Sequence, residues 1–440
     1  MKTSDYDIVV VGGGLAGLAS AALLAHHGKK VALLERGKLG GRAMTIHMKG
    51  FHFNFGAHAI YGRDKSYLSV IEKELGLNVH WEDFKQLNAK YDMGEESVVI
   101  PSSMGGLLQT KLLKGKNKFR FAYHILFTTL GFEKGDPNLS IQEWIELHNL
   151  SPAVREMMLN LAATNFFSGD PDTIPSDIFF DYYRRLFKTN IPVSFIQGGW
   201  EVLINEFKRV ITENGGDILE KTKITHLKTD ETRVLSAETK RHRFTADQFV
   251  FAVPPEQLQA LFINTSLKTE LKRYTDYEPT YVMFYDVGLK KQINNDFTYI
   301  FDKNREMFIT DISYYDMEAA PPGGQLLQAV AYLRDEQVYD PEAHEEIKQN
   351  LEAFYDKHYP GWRDHLAIPR ASKKPVLQAV RWAMNQRGLP THFSQIENAH
   401  FAGDWCDVHG QLSERSFASA YIVADAALNV NKPDNTSASH

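Results

Sequence analysis

The sequence predicts an α/β fold larger than a single ordinary domain, and three observations support this prediction. Residues 7–35 read as an apolar strand, a glycine-rich turn, a helix and a second apolar strand, which is the repeating unit of a parallel sheet. Residues 281–287 and 325–332 are alternating runs that suit antiparallel strands. The chain has 440 residues, of which 43% are hydrophobic and 24% charged, and this is the composition of a large globular protein.

The N-terminal unit divides into short, well-marked elements. Ile8 to Val11 are an apolar run that predicts a short buried strand. A helix is expected from Leu15 to about His27, with Gly28 ending it, and Val31 to Leu34 predict the second buried strand. The start of such a helix points unpaired N–H groups and a partial positive charge at whatever lies before it, so it favours an anion there.

The turn has the glycine spacing of a dinucleotide-binding site. Gly12, Gly14 and Gly17 supply G-x-G-x-x-G directly after the first strand. Gly12 permits the tight turn, Gly14 lets a pyrophosphate approach the backbone, and Gly17 lets the helix pack close to the sheet. Glu35 closes the second strand, where a carboxylate accepts hydrogen bonds from ribose hydroxyls. Together these residues predict a Rossmann-type unit that binds the ADP half of a dinucleotide.

A second glycine pair indicates which dinucleotide is bound. Gly40-Gly41-Arg42 follows the acid, and NAD binding does not need it. The segment resembles the G-G-R loop of the flavin amine oxidase superfamily, which includes monoamine and polyamine oxidases, protoporphyrinogen oxidase and phytoene desaturases. The resemblance implies that this loop runs under the pyrophosphate and ribityl chain of FAD, with Arg42 close to the flavin. The gap from Glu35 to Gly40 is about one residue shorter here than is usual in that family.

Further stretches resemble the same superfamily, and they occur in the family's order. Residues 51–58 are similar to its G-F-x-F-D-x-G-x-H segment, and residues 197–204 to its G-G-x-x-x-L helix start. Residues 246–255 resemble its A-D-x-V-V-x-A-x-P-P strand, and residues 400–405 its F-A-G-D strand end. In that family the position of Ile224 touches the adenine through its backbone.

The last helix departs from the family pattern. Family members usually begin it with Glu-Gly-Ala, whereas this chain has Glu414-Arg415-Ser416, and Ala420 stands where glycine is common. Arg415 either places a cation by the flavin N1–O2 edge or points to solvent, and the sequence leaves both open. Cys406 is the one cysteine, so internal disulfides and cysteine-ligated clusters are excluded, and covalent flavin attachment through it has no support.

The resemblance implies FAD as the cofactor and assigns the residues that hold it, while it assigns no catalytic residue and no metal. The net charge of −6 makes nucleic acid an unfavourable partner. The candidate cofactor-binding residues are Gly12, Gly14, Leu15, Ala16, Gly17, Glu35, Arg36, Gly40, Gly41, Arg42, Gly56, Ala57, His58, Ile224, Gly403, Asp404, Leu412 and Ser413.

The positions of these motifs predict a discontinuous domain organisation. The expected fold class is a Rossmann-type, GR2-like FAD-binding domain with a discontinuous α+β substrate domain of antiparallel sheet and helices. The FAD-binding domain is expected at residues 1–85, 190–275 and 390–430, the substrate domain at 86–189 and 276–389, and a flexible tail at 431–440. The block at 86–189 reads as mostly helical, with a capping box opening at Ser140.

The resemblance implies an FAD-dependent oxidase or desaturase that removes a hydride from a C–N or C–C bond of a small, apolar organic substrate. Because no second dinucleotide fingerprint is present, electrons are expected to leave to oxygen or a quinone. Two alternatives stay open at this point. One is a redox-neutral flavin-dependent isomerase, and the other is a non-enzymatic binding protein like the Rab GDP-dissociation inhibitors, which share the architecture without using FAD.

The chain has neither a signal peptide before its first strand nor an apolar run long enough to span a bilayer, so a cytoplasmic location is expected. Residues 97–132 nevertheless contain no Asp or Glu and mix lysines and an arginine with apolar groups. An ordinary helix pair with a solvated basic turn explains this pattern. The alternative hypothesis is peripheral contact of this segment with an anionic membrane.

Overall fold

The computed structural model describes residues 1–85, 88–101, 104–293, 296–302, 304, 306–384 and 386–429. The tail predicted at 431–440 lies outside the described residues. Within the described part of the chain, every helix is too short or too polar to cross a membrane.

The strands are numbered in chain order. They are β1 (Lys2–Val11), β2 (Val31–Leu34), β3 (Thr45–Met48), β4 (Phe51–Asn54), β5 (Ile60–Tyr61), β6 (Trp81–Asp83), β7 (Ala89–Asp92), β8 (Ser97–Val99), β9 (Val193–Ile196), β10 (Asp217–Leu219), β11 (His226–Thr229), β12 (Val234–Glu238), β13 (His242–Phe251), β14 (Thr280–Leu289), β15 (Tyr299–Asp302), β16 (Met307–Asp311), β17 (Gln325–Tyr332), β18 (Leu366–Ser372), β19 (Val376–Gln378) and β20 (Ala399–Phe401).

The α-helices are numbered in the same way. They are α1 (Leu15–His26), α2 (Tyr67–Leu75), α3 (Met104–Gln109), α4 (Lys116–Leu130), α5 (Ile141–Leu147), α6 (Pro152–Phe166), α7 (Ser176–Leu186), α8 (Gly199–Glu213), α9 (Pro255–Leu261), α10 (Leu267–Thr275), α11 (Ile312–Tyr315), α12 (Pro341–His358) and α13 (Ser413–Asn429). Short 3-10 helices lie at Arg63–Lys65, Pro171–Thr173, Asp335–Gln337 and Trp362–His365.

The first sheet is built around the N-terminal strand. Its order is β10-β2-β1-β13-β12-β11, with β20 pairing to β13. The pairs β10–β2, β2–β1, β1–β13 and β13–β20 are parallel, and β12 and β11 are antiparallel to their neighbours. The carboxyl ends of β1, β2, β13 and β20 therefore meet at one edge, which is where open α/β sheets bind their ligands.

Helices cover both faces of this sheet, because its central strands are apolar on both sides. Ile8 and Val10 face a core shared with α1, α8 and α13, whereas Val9 and Val11 face a second core with α9 and α10. Small residues line α1, and this helix packs against α8 and α13 as well as the sheet. The predicted α/β fold with a parallel sheet is thus confirmed.

The larger second sheet has the order β18-β14-β17-β16-β15-β7-β8, with β19 pairing to β14. Only the β15–β7 pair among these is parallel. One face packs on α12, and the other looks toward helices α3–α7. The strands of the parallel sheet come from residues 2–34, 217–251 and 399–401, and those of the second sheet from residues 89–99 and 280–378. We propose the division into two domains on the basis of these two sheets.

Two local differences from the sequence-based expectations have physical reasons. Strand β1 begins at Lys2 and not at Ile8, because its polar first half pairs with β13 along residues 242–246. The block after residue 86 begins with strands β7 and β8 before its helices. Strand β7 pairs with β15, which lies about two hundred residues later in the chain, so no local pattern marks it. The capping box at Ser140 is present as expected.

Candidate functional site

Two cavities adjoin at the carboxyl edge of the parallel sheet. The glycine cavity, lined by the Gly12–Gly14 turn and the Gly40–Gly41 loop, has a volume of about 890 Å³. The aromatic cavity, which lies under the second sheet, has a volume of about 900 Å³. Both are at the upper end of the roughly 300–1,000 Å³ usual for ligand pockets. Seven residues line both cavities: Gly41, Arg42, Phe55, Gly56, Ala57, Val376 and Leu377.

The glycine turn has the geometry that its spacing predicts. Gly12 has φ +109°, and a Cβ there would lie 2.4 Å from the Ala252 carbonyl oxygen. A Cβ on Gly17 would lie 1.8 Å from the Gly12 carbonyl oxygen, so this glycine sets the contact between helix and turn. Gly14, by contrast, has an ordinary φ of −75°, and a Cβ on it would meet nothing within 4 Å. A larger residue would therefore fit at Gly14 without a clash, so packing within the chain does not require glycine at this position.

The open space at Gly14 fits a diphosphate. Gly14 is the N-cap of α1, whose first-turn N–H groups carry the partial positive charge of the helix end. Glu35 stands beside the turn, where its carboxylate accepts from Gly13 N at 2.7 Å and from Gly37 N at 2.6 Å. The residues present thus supply an anion-binding helix end, room for the anion and an acceptor for ribose hydroxyls. These are the features that an FAD adenosine diphosphate requires.

The second glycine loop is tied to the turn and to the C-terminal strand. Gly40 N donates to Gly13 O at 2.8 Å, which places the loop along the glycine turn. Arg42 forms an ion pair with Asp404, whose side chain is only 4% exposed. Asp404 also accepts from Ala379 N at 2.9 Å. Arg42 and Asp404 are therefore in direct contact, although they come from opposite ends of the chain. The sequence assigns both residues to the flavin site.

The start of α13 closes the same cavity. Leu412, Ser413 and Ser416 line it, and the Leu412 N–H donates to the Gln378 side chain at 2.9 Å. Arg415 takes neither of the two positions that the sequence left open. Its guanidinium is fully buried, stacks 4.1 Å over Trp382, and donates to the carbonyl oxygens of Cys406 and Val380. Arg415 therefore ties the first turn of α13 to the segments that carry Val380 and Cys406.

Cys406 is a buried structural residue. Its Sγ donates to the Phe401 carbonyl oxygen at 3.3 Å, and burial raises the pKa of its thiol to about 12. It is absent from the described lining of both cavities. A thiol held protonated in this way is a poor nucleophile, so its environment gives no support to covalent flavin attachment.

The structure brings almost all the candidate residues to one cavity. Sixteen of them line the glycine cavity: Gly12, Gly14, Leu15, Ala16, Glu35, Arg36, Gly40, Gly41, Arg42, Gly56, Ala57, Ile224, Gly403, Asp404, Leu412 and Ser413. Gly17 lies behind the turn as a packing contact. His58 lines the aromatic cavity instead, where burial lowers the pKa of its imidazole to about 4.

Sequence reasoning missed several lining residues of the glycine cavity. Thr222, Lys223 and Thr225 flank Ile224, and Gln257 lies in the first turn of α9. Lys223 is the one lysine among the described lining residues. The sequence offered one signal for Lys223: it precedes Ile224, the residue assigned to the adenine contact, and a cation there suits a phosphate or a ribose edge.

The aromatic cavity lies between helices and the second sheet. Helices α4, α6 and α7 form one side, and the face of the second sheet that carries Val282, Phe284 and Val330 forms the other. Tyrosine and phenylalanine rings dominate the lining: Tyr61, Tyr91, Tyr183, Tyr299, Tyr332, Phe55, Phe84, Phe121, Phe167, Phe187, Phe195, Phe284 and Phe308. Such a lining excludes water from the wall shared with the glycine cavity.

Comparison with known proteins agrees with this geometry. The family model for flavin-containing amine oxidoreductases matches residues 15–428. The chain belongs to this family. Membership confirms the resemblance seen in the sequence, and the family is one of flavin-containing oxidoreductases.

Individual relatives are more distant. A 15-cis-phytoene desaturase from Glycine max is 28% identical over 282 residues, which cover 58% of this chain and 48% of the desaturase. The chain thus spans about half the length of this relative. An oxidoreductase structure from Methanosarcina mazei has a TM-score of 0.79 at 19% identity, covering 97% of this chain and 100% of that one. A Rab GDI structure from Plasmodium falciparum has a TM-score of 0.61 at 12% identity, covering 96% of this chain and 98% of that one. At these identities the two structures show a shared fold alone.

Proposed function

We propose that this protein is an FAD-dependent oxidase or desaturase that removes a hydride from a C–N or C–C bond of an apolar organic substrate. The observation that carries the proposal is the wall shared by the two cavities. Gly41, Arg42 and Phe55–Ala57 line both of them, so a substrate in the aromatic cavity lies next to whatever occupies the near end of the glycine cavity. Hydride transfer needs this direct contact.

In this proposal each group of residues has a separate task. Bound FAD supplies a hydride acceptor, and oxygen or a quinone later takes the electrons. Gly14 and the start of α1 hold the diphosphate, Glu35 holds the ribose, and the Arg42–Asp404 pair orients the loop at the flavin end. The aromatic walls bind the apolar body of the substrate and keep water away from the reacting atoms.

A binding protein without FAD is disfavoured by the same residues. The Rab GDI structure shows that this fold serves such proteins. Here, however, the open position at Gly14 lies at the start of α1 in one cavity with Glu35 and the Arg42–Asp404 pair, and a scaffold without a cofactor has no need of this combination. The visible absorbance of the purified protein tests this point directly, because a flavoprotein is yellow.

Anaerobic reduction of the flavin tests the reaction itself. Purified holoprotein is mixed without oxygen with a panel of amines, porphyrinogens and polyenes, and the visible absorbance band of the flavin is followed. One class should bleach the flavin, and oxygen or a quinone should restore it. Turnover of a polyene with no bleaching at any stage would instead indicate a redox-neutral isomerisation.

We also propose that part of residues 97–132 contacts an anionic membrane. We define the α4 surface as Lys114, Lys116 and Arg120 together with five exposed apolar residues. Those five are Phe119 (68% exposed), Tyr123 (48%), Leu126 (46%), Leu130 (57%) and Phe132 (72%). Positions 119, 123, 126 and 130 recur at helical spacing, so they form one stripe along α4.

This surface also adjoins the aromatic cavity. Phe121, Ile125, Leu126 and Thr129 of the same helix line the cavity, so α4 stands between it and the outside. Leu126 belongs to both sets. Lipid phosphates would attract the basic residues while the acyl boundary accepts the aromatic rings. An apolar substrate would then enter beside α4 without crossing water.

A further inference from the structure

A row of polar side chains crosses the otherwise apolar floor of the aromatic cavity. The strand registers pair Arg370 with Asp286, Asp286 with Gln328, and Gln328 with Thr310. The four residues belong to β18, β14, β17 and β16, which are consecutive in the sheet. Side chains directly opposite one another on neighbouring strands point to the same face. We call Arg370, Asp286, Gln328 and Thr310 the polar row.

The guanidinium is the charged end of this row that faces the cavity. Arg370, Gln328 and Thr310 line the cavity, while Asp286 is buried behind them. Arg370 Nε donates to Asp286 Oδ2 at 2.8 Å, and its Nη2 donates to the Asn54 carbonyl oxygen at 2.9 Å. Its Nη1 is buried with no hydrogen-bond partner in the described part of the chain; the same holds for Asp286 Oδ1, but Asp286 is not among the cavity-lining residues. A buried donor left in this state costs free energy until an acceptor reaches it.

The same arginine occupies the aromatic faces that would otherwise receive a cation. Its guanidinium carbon lies 4.9 Å from the ring centroid of Phe53, 4.8 Å from Phe55 and 4.7 Å from Phe284. Stacking of this kind satisfies the ring quadrupoles. A substrate ammonium at this end of the cavity would therefore meet a guanidinium already paired with Asp286, and aromatic faces that are already taken.

The charge of the whole lining points in the same direction. The charged side chains among the described lining residues are Arg42 and Arg370, and none is Asp, Glu or Lys. Arg42 is paired with Asp404 and Arg370 with Asp286, so both carboxylates nearest the cavity are already engaged. A protonated amine would have no carboxylate to pair with inside a water-poor cavity, and burial of an unpaired charge is strongly unfavourable.

We propose that the polar row binds a hydrogen-bond-accepting oxygen of the substrate, a carboxylate or a carbonyl, and that the cavity rejects protonated amines. The inference rests on the proposed function, since it assigns the substrate class of that cavity. Arg370 stacks on Phe55, which lines both cavities, so the bound oxygen lies at the flavin end of the substrate. An apolar chain would extend from it toward α4.

Equilibrium titration of the holoprotein tests this inference without knowledge of the natural substrate. The probes are decanoate, 2-decanone and decylamine, which share a chain length and differ in the head group, and the readouts are the flavin absorbance spectrum and the melting temperature. Decanoate and 2-decanone should bind, and decylamine should bind at least about tenfold more weakly. Comparison of the first two distinguishes a carboxylate from a carbonyl site.

Near-isosteric variants test the row. Gln328→Leu and Thr310→Val should each weaken the binding of the oxygen-bearing probes about tenfold, which is the loss expected for one buried hydrogen bond. Thr212→Val is the control, because Thr212 lies on α8 outside the described lining of both cavities and its hydroxyl bonds to the Lys208 carbonyl oxygen at 2.9 Å. The control should leave binding unchanged.

Three results would overturn the inference: equal binding of decylamine, equal losses in the row variants and the control, or no binding of either oxygen-bearing probe. The proposed function fails by a different measurement, namely the absence of anaerobic bleaching with every compound of the panel. A protein that bleaches with an amine and prefers decylamine would keep the proposed oxidase while refuting the polar row.

Discussion

Arg42 and Asp404, which lie 362 positions apart in the chain, form an ion pair at the wall between the two cavities. The arginine comes from the loop after β2 and the aspartate from the end of β20, so the pair joins the two ends of the cofactor site. The aspartate is almost fully buried, and its second oxygen accepts from Ala379 N at 2.9 Å. Its replacement should therefore loosen the loop that adjoins both cavities.

We expect Asp404→Asn to weaken FAD binding by about 1–3 kcal/mol, because a charge-assisted bond is replaced by a neutral one. The measurement is the FAD dissociation constant from fluorescence on dilution. Asp407→Asn is the matched control, since this exposed residue lies three positions further on. Equal retention of FAD by Asp404→Asn and the control would contradict a role for the pair.

The glycine turn allows fold and cofactor binding to be separated. Gly14→Val should fold and lose FAD, because its side chain enters the open space where the diphosphate is expected. Gly17→Ala should lower the free energy of unfolding itself, since its Cβ would collide with the Gly12 carbonyl oxygen. Glu35→Ala should only weaken FAD binding, by about 1–3 kcal/mol. Circular dichroism and the flavin spectrum together check all three, and a yellow Gly14→Val protein would refute the assignment.

The sequence predicts the parts of the site that depend on local geometry. Gly12, Gly14 and Glu35 belong to one strand–turn–helix–strand unit, whose spacing alone fixes their relation. Gln257 could not be predicted, because it reaches the cavity only after β13 pairs with β1, which is distant in the chain. The family pattern supplied Asp404 but not its pairing with Arg42.

Long-range register explains what else was missed. The polar row needs four strands aligned at one level, and the sequence separates Arg370 from Asp286 by 84 positions. Arg415 was expected near the flavin or in solvent, yet the carbonyl oxygens of Val380 and Cys406 hold it inside the protein. Which carbonyl oxygens converge on a side chain depends on tertiary packing and leaves no local signal.

Glu414 should make stability depend on pH in an unusual direction. Burial raises the pKa of its carboxyl to about 7, although Tyr67 N donates to it at 2.9 Å. The folded state therefore binds a proton more tightly than the unfolded state, so this residue destabilises the fold as the pH rises from about 4.5 to about 7. Glu414→Gln should be more stable than the native protein at pH 8, by on the order of 1–3 kcal/mol, and closer to it at pH 4.5.

Denaturant titrations at several pH values measure this difference. Other groups change in the opposite direction, since burial lowers the pKa of His58 and His400 to about 4 and their protonation destabilises the fold below about pH 6.5. Because His58 and His400 are present in both proteins, their contributions cancel when Glu414→Gln is compared with the native protein. A difference between the two proteins that stays constant from pH 4.5 to 8 would show that folding does not raise the pKa of Glu414.

Reversal of charge on the α4 surface should release the protein from anionic vesicles. Lys114, Lys116 and Arg120 are exposed, whereas Lys118 is half-buried and donates to the Leu108 carbonyl oxygen, so it is left unchanged. We expect the native protein to co-sediment with vesicles that contain phosphatidylserine at low salt. The triple change of Lys114, Lys116 and Arg120 to Glu should abolish pelleting, because each basic residue contributes about 1 kcal/mol at such a surface.

The matched control moves the same charge change to another part of the protein. Lys228, Lys240 and Lys268 are also exposed, and their change to Glu alters the net charge equally.

Phe119→Ser with Leu130→Ser tests the apolar stripe, and this pair should weaken pelleting even at low salt, since acyl contact and not charge is removed. Equal pelleting of the α4 variant and the lysine control would mean that only net charge matters. If the native protein stays in the supernatant, the stripe on α4 has a structural role and the substrate reaches the aromatic cavity through water.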